Sequence, residues 1–149
     1  MEDEINRTIV DSLRLLGYES EPSAHRQAYA SVNLADPVTL FKKPTARVAE
    51  LVVHFLLSRI DQRRAAGEFG ASFPTKSDAR SSKDFRSAAL VWLKEIESAR
   101  FIQSGIVSPA VLVSPSAAKF GPLLWGLSCH ALRCVAERDA GVKEVITKD

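Results

Sequence analysis

Apolar residues recur along this chain at the three- and four-residue spacing of α-helices, most strongly in two segments. In residues 45–60 the apolar surface extends most of the way round the predicted helix, which is typical of a helix buried on nearly every side. Between Lys83 and Glu97 the apolar residues form a single stripe, so we expect that helix to bury one face and expose the other. The stripe consists of Phe85, Ala88, Ala89, Trp92, Leu93 and Ile96.

Two amphipathic segments predict further helices towards the ends of the chain. The first covers residues 2–16 and is followed by Gly17, a residue type that commonly ends helices. The second starts between Ser116 and Pro122 and ends near Glu137. Both present apolar residues on one face, as expected for helices that pack against a core.

The length and composition of the chain favour a single domain. It has 149 residues, of which 46% are hydrophobic. This is enough to form one hydrophobic core but too few to form two well-packed domains. No segment has a convincing strand pattern. The sequence therefore predicts an all-α fold with about five or six helices around a buried central helix. It forms one compact domain over residues 1–139, followed by a polar and flexible tail over residues 140–149.

Several polar residues lie where helix N-caps are expected. Between residues 18 and 44 the apolar pattern is irregular, and we expect a long connection there that includes short turns. The predicted N-caps are Thr45 for the central helix, Asp61 for a short helix that ends at Gly67 or Gly70, and Ser81 or Ser82 for the helix from Lys83.

Two serine-proline pairs, Ser108-Pro109 and Ser114-Pro115, allow two interpretations. Each is typical of an N-cap followed by proline at the first helical position. The first pair thus predicts a short helical turn and the second the start of the last helix. Each also meets the minimal requirement of a proline-directed kinase site, where a phosphate would add about −1.5 to −2 charge. Ser108 and Ser114 are therefore weak candidate phosphosites.

The net charge of +2 conceals an uneven distribution. Residues 42–86 contain ten basic and five acidic residues and carry +5, whereas the rest of the chain carries −3. Such a field favours an acidic partner for the middle of the chain; the alternative is a basic rim that contacts only solvent. The candidate contacts with an acidic partner are Lys42, Lys43, Arg47, Arg63, Arg64, Lys76, Arg80, Lys83 and Arg86.

The cysteines and histidines predict neither a disulfide nor a metal site. Cys129 and Cys134 lie about 140° apart around one predicted helix. His25, His54 and His130 are far apart in sequence and lack partners at metal-ligand spacing. We interpret His54 as a hydrogen-bonded histidine of the core or its boundary.

The chain also lacks the motifs of common enzyme classes. Its seven glycines are scattered without a phosphate-binding loop, no serine lies in a nucleophile elbow, and the helical acids are not paired. It has no signal peptide and no apolar stretch of about 18 residues. We therefore expect a non-enzymatic protein without a cofactor, small-molecule ligand or membrane partner, in a reducing intracellular compartment.

Four segments carry a resemblance to a known family. They are LRLLGYE, LFKKPTARVAELVVHFLLSRID, FPTKSDARSSKDFRSAALVWLKEIE and VSPAVLVSPSAAKFGPLLWGLSCHALR. In this order, over about residues 10–138, they resemble the N-terminal domain of the sixth subunit of the augmin-like (HAUS) complex. The connection from Ser20 to Leu40 matches that family only in its length, so no contact made there is carried over.

The resemblance implies a calponin-homology-like domain without catalytic or cofactor residues. The family's complex binds spindle microtubules and recruits the γ-tubulin ring complex, so that new microtubules branch from existing ones. The implied partners are other augmin subunits, including a second calponin-homology-like subunit, and microtubules, with the γ-tubulin ring complex contacted indirectly. The implied location is the cytoplasm and cytoskeleton, at the mitotic spindle and the microtubule-organising centre. The acidic surface of tubulin then becomes a candidate partner of the basic segment.

Two alternatives to microtubule contact remain open. The domain could serve only subunit assembly, and an exposed apolar patch that includes Trp92 or Trp125 would favour this function. It could also be a nucleic-acid-binding helical module, since the basic segment suits that partner as well. No recognition-helix pattern or interleaved aromatic residues accompany the charge, however, so the sequence favours the first alternative over the second.

Overall fold

The structure is a computed structural model that describes residues 2–20, 26–35, 41–70 and 79–147. Within these ranges all regular elements are helices, which confirms the predicted all-α class. Five of these helices are longer than one turn, and the last is the longest. The helices are α1 Glu2–Leu15, α2 Arg26–Tyr29, α3 Ala46–Ile60, α4 Gln62–Phe69, α5 Ala79–Ser98, α6 Ala110–Val113 and α7 Ala117–Thr147, with a 3-10 turn at Tyr18–Ser20.

Helix α3 is the centre of the fold, as its nearly continuous apolar surface predicts. It contacts α2, α4, α5, α6 and α7, and every side chain from residue 48 to residue 57 is buried. The predicted N-cap is confirmed, because the Thr45 side chain accepts a hydrogen bond from the Val48 N–H at 3.2 Å. This cap satisfies one of the free N–H groups of the first turn.

Asp61 separates α3 from α4 and fixes the direction of the chain there. Its N–H donates to the Leu57 carbonyl at the end of α3, while its side chain accepts from the Arg64 N–H at the start of α4. The predicted cap is therefore confirmed. Helix α4 ends at Gly70, one of the two predicted stops, where φ is 75° and glycine is the residue that adopts this conformation most readily.

The single apolar stripe predicted for α5 is confirmed. Five of its six residues are buried, and Ala88 is half-buried. The predicted start of this helix is wrong, because α5 begins at Ala79, before both proposed caps. Ser82 instead donates its hydroxyl hydrogen to the Glu50 carboxylate at 2.9 Å, so its side chain serves a contact between helices.

The first serine-proline pair does form a one-turn helix, but neither pair provides the predicted N-cap. Pro109, and not Ser108, lies at the N-cap position of α6. Its backbone angles are helical, because the proline ring fixes φ near −65°. Ser114 ends α6, and its N–H donates to the Ala110 carbonyl. Helix α7 starts within the predicted interval, and the Ser116 carbonyl accepts from the Phe120 N–H at 2.8 Å.

Helix α7 packs against α1 and α3, and the apolar stripe from Phe120 to Ala131 lies in the core. The prediction that it ends near Glu137 is wrong, because the helix continues to Thr147. A polar composition does not itself end a helix, and no proline follows Pro122 to stop this one. The division into a domain and a tail at residue 139 stays a prediction.

The long connection before α3 contains short helical turns, as expected. The Tyr18–Ser20 turn and α2 bring two tyrosine rings against Phe55 of the central helix. Tyr18 donates its hydroxyl hydrogen to the Tyr29 carbonyl at 3.0 Å. The apolar face of residues 2–16 is formed by Ile5, Ile9, Leu13 and Leu16, and these are buried apart from Ile5, which is 39% exposed. Residues 21–25 and 36–40 lie outside the described residues.

Candidate interaction surface

A buried carboxylate joins the first turns of α3 to the first turns of α5. Glu50 is 2% exposed. It accepts hydrogen bonds from Ser82 at 2.9 Å and from Arg86 at 3.3 Å, and the Arg47 guanidinium lies 3.9 Å away. A buried charge requires such partners because its transfer out of water is unfavourable. Glu50 was not among the predicted site residues; its signal is an acid inside the most apolar helix.

The Glu50 contacts bring the N-terminal parts of α3 and α5 together, and six of the nine candidate basic residues lie in or just before these parts, a group that we call the basic end. Two of the six lie three and four residues before α3, and one lies in its first turn. Three lie on α5 at three-residue spacing, so they follow one flank of that helix over about 120°. The basic end consists of Lys42, Lys43, Arg47, Arg80, Lys83 and Arg86.

The six residues of the basic end differ in their availability to a partner. Arg47 and Arg86 are half-buried and contact the Glu50 carboxylate. The other four side chains are exposed, and among the described residues no acidic group lies within ion-pair distance of them. They therefore present four cations to solvent near the shared end of α3 and α5. These four are Lys42, Lys43, Arg80 and Lys83.

Arg64 is engaged within the fold, away from the basic end. Its two terminal nitrogens contact the Glu95 carboxylate at 3.1 and 2.6 Å, and its Nε contacts Glu68. The guanidinium carbon also lies 4.4 Å from the centre of the Trp92 ring. The hydrogen bond from Arg64 lowers the pKa of the Glu95 carboxyl. Arg64 thus links α4 to α5. Its partner Glu95 lies nine residues after Arg86 on α5, which is about 13 Å along the helix at 1.5 Å per residue.

The remaining two candidate residues do not join the basic end either. Arg63 is exposed on α4, beside Arg64. Lys76 lies outside the described residues. The structure therefore places six of the nine candidate basic residues near the N-terminal ends of α3 and α5.

His54 is a hydrogen-bonded core histidine, in agreement with its interpretation from the sequence. Its side chain is 4% exposed, and its Nδ1 lies 2.7 Å from the Tyr29 hydroxyl. The rings of Phe69 and Phe85 lie 5.5 and 5.9 Å from it, centre to centre. Burial raises the pKa of the neighbouring Tyr18 hydroxyl above its ordinary value. This aromatic group joins α2, α3, α4 and α5 inside the core.

The two tryptophans have different surroundings. Trp92 is 3% exposed, and its ring stacks on Phe69 with centres 6.0 Å apart, so it cannot belong to an exposed apolar patch. Trp125 is 40% exposed on α7. Exposed Cys129 follows it by four residues on the same face of that helix. Of the two tryptophans considered for subunit docking, only Trp125 is available on the surface.

The cysteines lie beside His130 without forming a metal site. The Cys134 sulfur is 3.9 Å from each ring nitrogen of His130, whose ring stacks on Phe101 at 4.0 Å. Burial raises the pKa of both the Cys129 and the Cys134 thiols and lowers that of His130. In the described part of the chain, no three histidine, cysteine or acidic residues are placed to bind a metal ion. His25 lies outside that part.

Among the described residues, no helix combines the length and the apolar character that crossing a bilayer requires.

Comparisons with known proteins give one consistent result. The family described as "HAUS augmin-like complex subunit 6 N-terminus" matches residues 9–148 of this chain. A curated relative, the HAUS augmin-like complex subunit 6 of Danio rerio, is 30% identical over 98 residues. That alignment covers 66% of this chain and 12% of the relative. The matched part of the chain therefore corresponds to a small fraction of the relative's length.

Proposed function

We propose, since this chain belongs to the HAUS augmin-like complex subunit 6 family, that it is a non-enzymatic interaction domain of an augmin-like complex. The family match spans residues 9–148 and so includes most of the described helices. Family membership supports a role as a complex subunit, with other augmin subunits as partners. The buried Glu50 carboxylate joins two helices, and the exposed cations of the basic end remain accessible to a partner. This arrangement supports a binding function over a catalytic one.

The basic end is the surface through which we propose contact with an acidic partner, namely a microtubule. The observation that carries this proposal is the group of four exposed cations, Lys42, Lys43, Arg80 and Lys83, near the shared end of two helices. A single exposed ion pair contributes about 0–1 kcal/mol, so only several acting together would give useful affinity. The +5 charge of residues 42–86 adds long-range attraction.

This proposal includes the finer expectations that follow from the family. The domain is calponin-homology-like and is located in the cytoplasm, at the spindle and the microtubule-organising centre. It supports branching microtubule nucleation together with a second calponin-homology-like subunit, and it reaches the γ-tubulin ring complex indirectly through the rest of the complex.

Co-sedimentation with microtubules across a salt series tests this function. The double reversal Arg80→Glu with Lys83→Glu should weaken binding roughly tenfold at low ionic strength, because it converts two attractions into repulsions. The matched control is Arg7→Glu with Lys119→Glu, which changes the net charge equally but alters exposed residues outside the basic end. Binding of the wild type and the control should fall together as salt screens the charges.

Equal weakening by both double variants would show that net charge, and not the basic end, governs the interaction. Binding that is unaffected by either variant would exclude an electrostatic contact through these residues.

Docking to a partner subunit alone is the second candidate function, and exposed Trp125 is the observation that favours it. Large aromatic side chains are enriched among residues that dominate protein interfaces. If the wild-type domain fails to sediment with microtubules at low salt, while Trp125→Ala reduces its co-purification with other augmin subunits, this function replaces the first. Cys129→Ala, on the same face of α7, is the matched control for loss of a smaller exposed side chain.

A further inference from the structure

The two serine-proline pairs are not equivalent as sites for modification. Ser108 is half-buried, its carbonyl accepts from the Val111 N–H at 3.1 Å, and the proline after it is helical with φ −55° and ψ −32°. Ser114 is exposed and has more extended angles, φ −132° and ψ 70°, between α6 and α7. Phosphoryl transfer requires an accessible oxygen aligned with the γ-phosphate. The second pair satisfies that requirement better.

The start of α7 also favours a negative charge in this position. The first turn of α7 contains no acidic residue, and it carries the exposed Lys119. No acidic partner of Lys119 lies within ion-pair distance among the described residues. A cation near the positive end of a helix dipole is unfavourable, whereas an anion there is stabilising. Ser114 lies three residues before Ala117, the first residue of the helix.

We propose that Ser114 is the acceptor of a proline-directed protein kinase and that the resulting phosphate stabilises the start of α7. The Ser114 Oγ attacks the γ-phosphorus of ATP, and the new Oγ–P bond forms. The bond between that phosphorus and the β–γ bridging oxygen breaks, ADP leaves, and the hydroxyl proton passes to the base of the kinase. The product gains about −1.5 to −2 charge at a position five residues before Lys119. This inference is independent of microtubule binding.

Phosphorylation of the complete folded chain, followed by site mapping by mass spectrometry, tests the acceptor. The probes are a cyclin-dependent kinase and ATP. The wild type and Ser108→Ala should each acquire one phosphate at Ser114, whereas Ser114→Ala should lose it. Pro115→Ala keeps the serine but removes the proline, and it should reduce the initial rate at least roughly tenfold if binding of the proline contributes about 1.4 kcal/mol.

A synthetic peptide of residues 109–120 shows in parallel that the kinase accepts the sequence. Modification of the peptide together with an unmodified folded chain would overturn the proposal. Preferential modification of Ser108 in the folded chain would also overturn it. Because Ser114 and Ser108 are not buried in the core, their alanine variants should fold, which circular dichroism can verify.

Thermal unfolding tests the proposed effect on α7. The phosphorylated chain should melt about 1–3 °C higher at low salt than the unmodified chain, because the phosphate interacts favourably with the helix start. Lys119→Ala should reduce this shift without abolishing it, since the dipole remains. An unchanged or lower melting temperature after phosphorylation would contradict the stabilising role.

Discussion

Glu50 is a charged side chain in the most apolar helix of the chain, and its contacts explain why it is tolerated there. Two of its contacts, Ser82 and Arg86, come from α5, whereas Arg47 lies one turn away on α3. The two arginine side chains are 33% and 28% exposed, so they keep contact with water while they compensate the buried carboxylate. Arg47 and Arg86 therefore hold the basic end in place, and the exposed cations around them remain available for binding.

Replacement of Glu50 should destabilise the domain. Glu50→Ala removes a buried carboxylate and leaves the Ser82 hydroxyl and two guanidinium groups without it, so we expect a loss of about 1–3 kcal/mol. The partial exposure of the arginines keeps the effect below that of a fully buried pair. Asp84→Ala, an exposed acid on α5, is the control and should change stability by less than about 0.5 kcal/mol. Urea denaturation measures both. Similar values for the two variants would contradict the role assigned to Glu50.

Among the elements, α5 ends in an unusual way. The Arg100 N–H donates to the Glu97 carbonyl and the Phe101 N–H to the Ile96 carbonyl, the pair of bonds that closes a helix in a Schellman motif. This motif requires a left-handed residue, usually glycine, yet Arg100 occupies the position with φ 71°. The helix end is therefore formed at some cost in backbone strain.

Arg100→Gly should relieve this strain and stabilise the domain by about 0.5–1 kcal/mol, because glycine adopts positive φ without a Cβ clash. Ser98→Gly provides the opposite control, since Ser98 is exposed within the last turn of α5. There glycine should destabilise by a few tenths to about 1 kcal/mol through lost helix propensity. The urea midpoints give the change in the free energy of unfolding for each variant. If both variants were stabilised, or both destabilised, the strain argument would be contradicted.

Packing of α7 against the segment after α5 depends on one small residue. A Cβ at Gly126 would lie 2.7 Å from the Phe101 carbonyl oxygen and 3.2 Å from the Ile102 Cα, and backbone atoms cannot move aside easily. Gly126→Ala should therefore destabilise by about 1–3 kcal/mol, despite the higher helix propensity of alanine. Gly67→Ala in α4, where no atom lies within 4 Å of the added Cβ, should be neutral or stabilising. Thermal unfolding of the two variants distinguishes them.

For the molecule as a whole, acid should weaken the fold partly through Glu97. Its carboxylate accepts from the Gly105 and Val107 N–H groups at 3.2 and 3.0 Å, and these bonds, chiefly that of Val107, lower its pKa. The carboxylate therefore binds a proton more readily in the unfolded chain than in the folded chain. The stability it contributes is complete above the unfolded value, about 4.3, and is lost as the pH falls through the lower folded value.

Glu97→Gln tests this linkage. The variant should be less stable than the wild type near neutral pH, and the difference between them should shrink as the pH falls below about 4 and Glu97 itself becomes protonated. Urea denaturation at a series of pH values measures this difference. A constant difference across the acid range would show that Glu97 acts through packing rather than charge.

The elements of this fold follow from local sequence, whereas the surface depends on contacts that local sequence does not contain. The helix pattern predicted α3, and the caps Thr45 and Asp61 act through their own neighbouring backbone. The start of α5 was predicted wrongly because its first turns are polar and because the Ser82 side chain hydrogen-bonds to Glu50 of α3 and does not cap α5. Likewise, Arg64 was predicted as a surface contact, but its partners Glu95 and Trp92 come from a different helix.

The length of α7 beyond the core has a mechanical consequence. Leu132 and Val135 pack against the core, and the Arg138 guanidinium donates to the Arg59 carbonyl, so the packed part of α7 extends at least to Arg138. From Arg138 to Thr147 the rise of 1.5 Å per residue amounts to about 14 Å. A tilt of about 5° beyond Arg138 would displace Thr147 by only about 1 Å, so the final turns of α7 form a nearly rigid extension of the core.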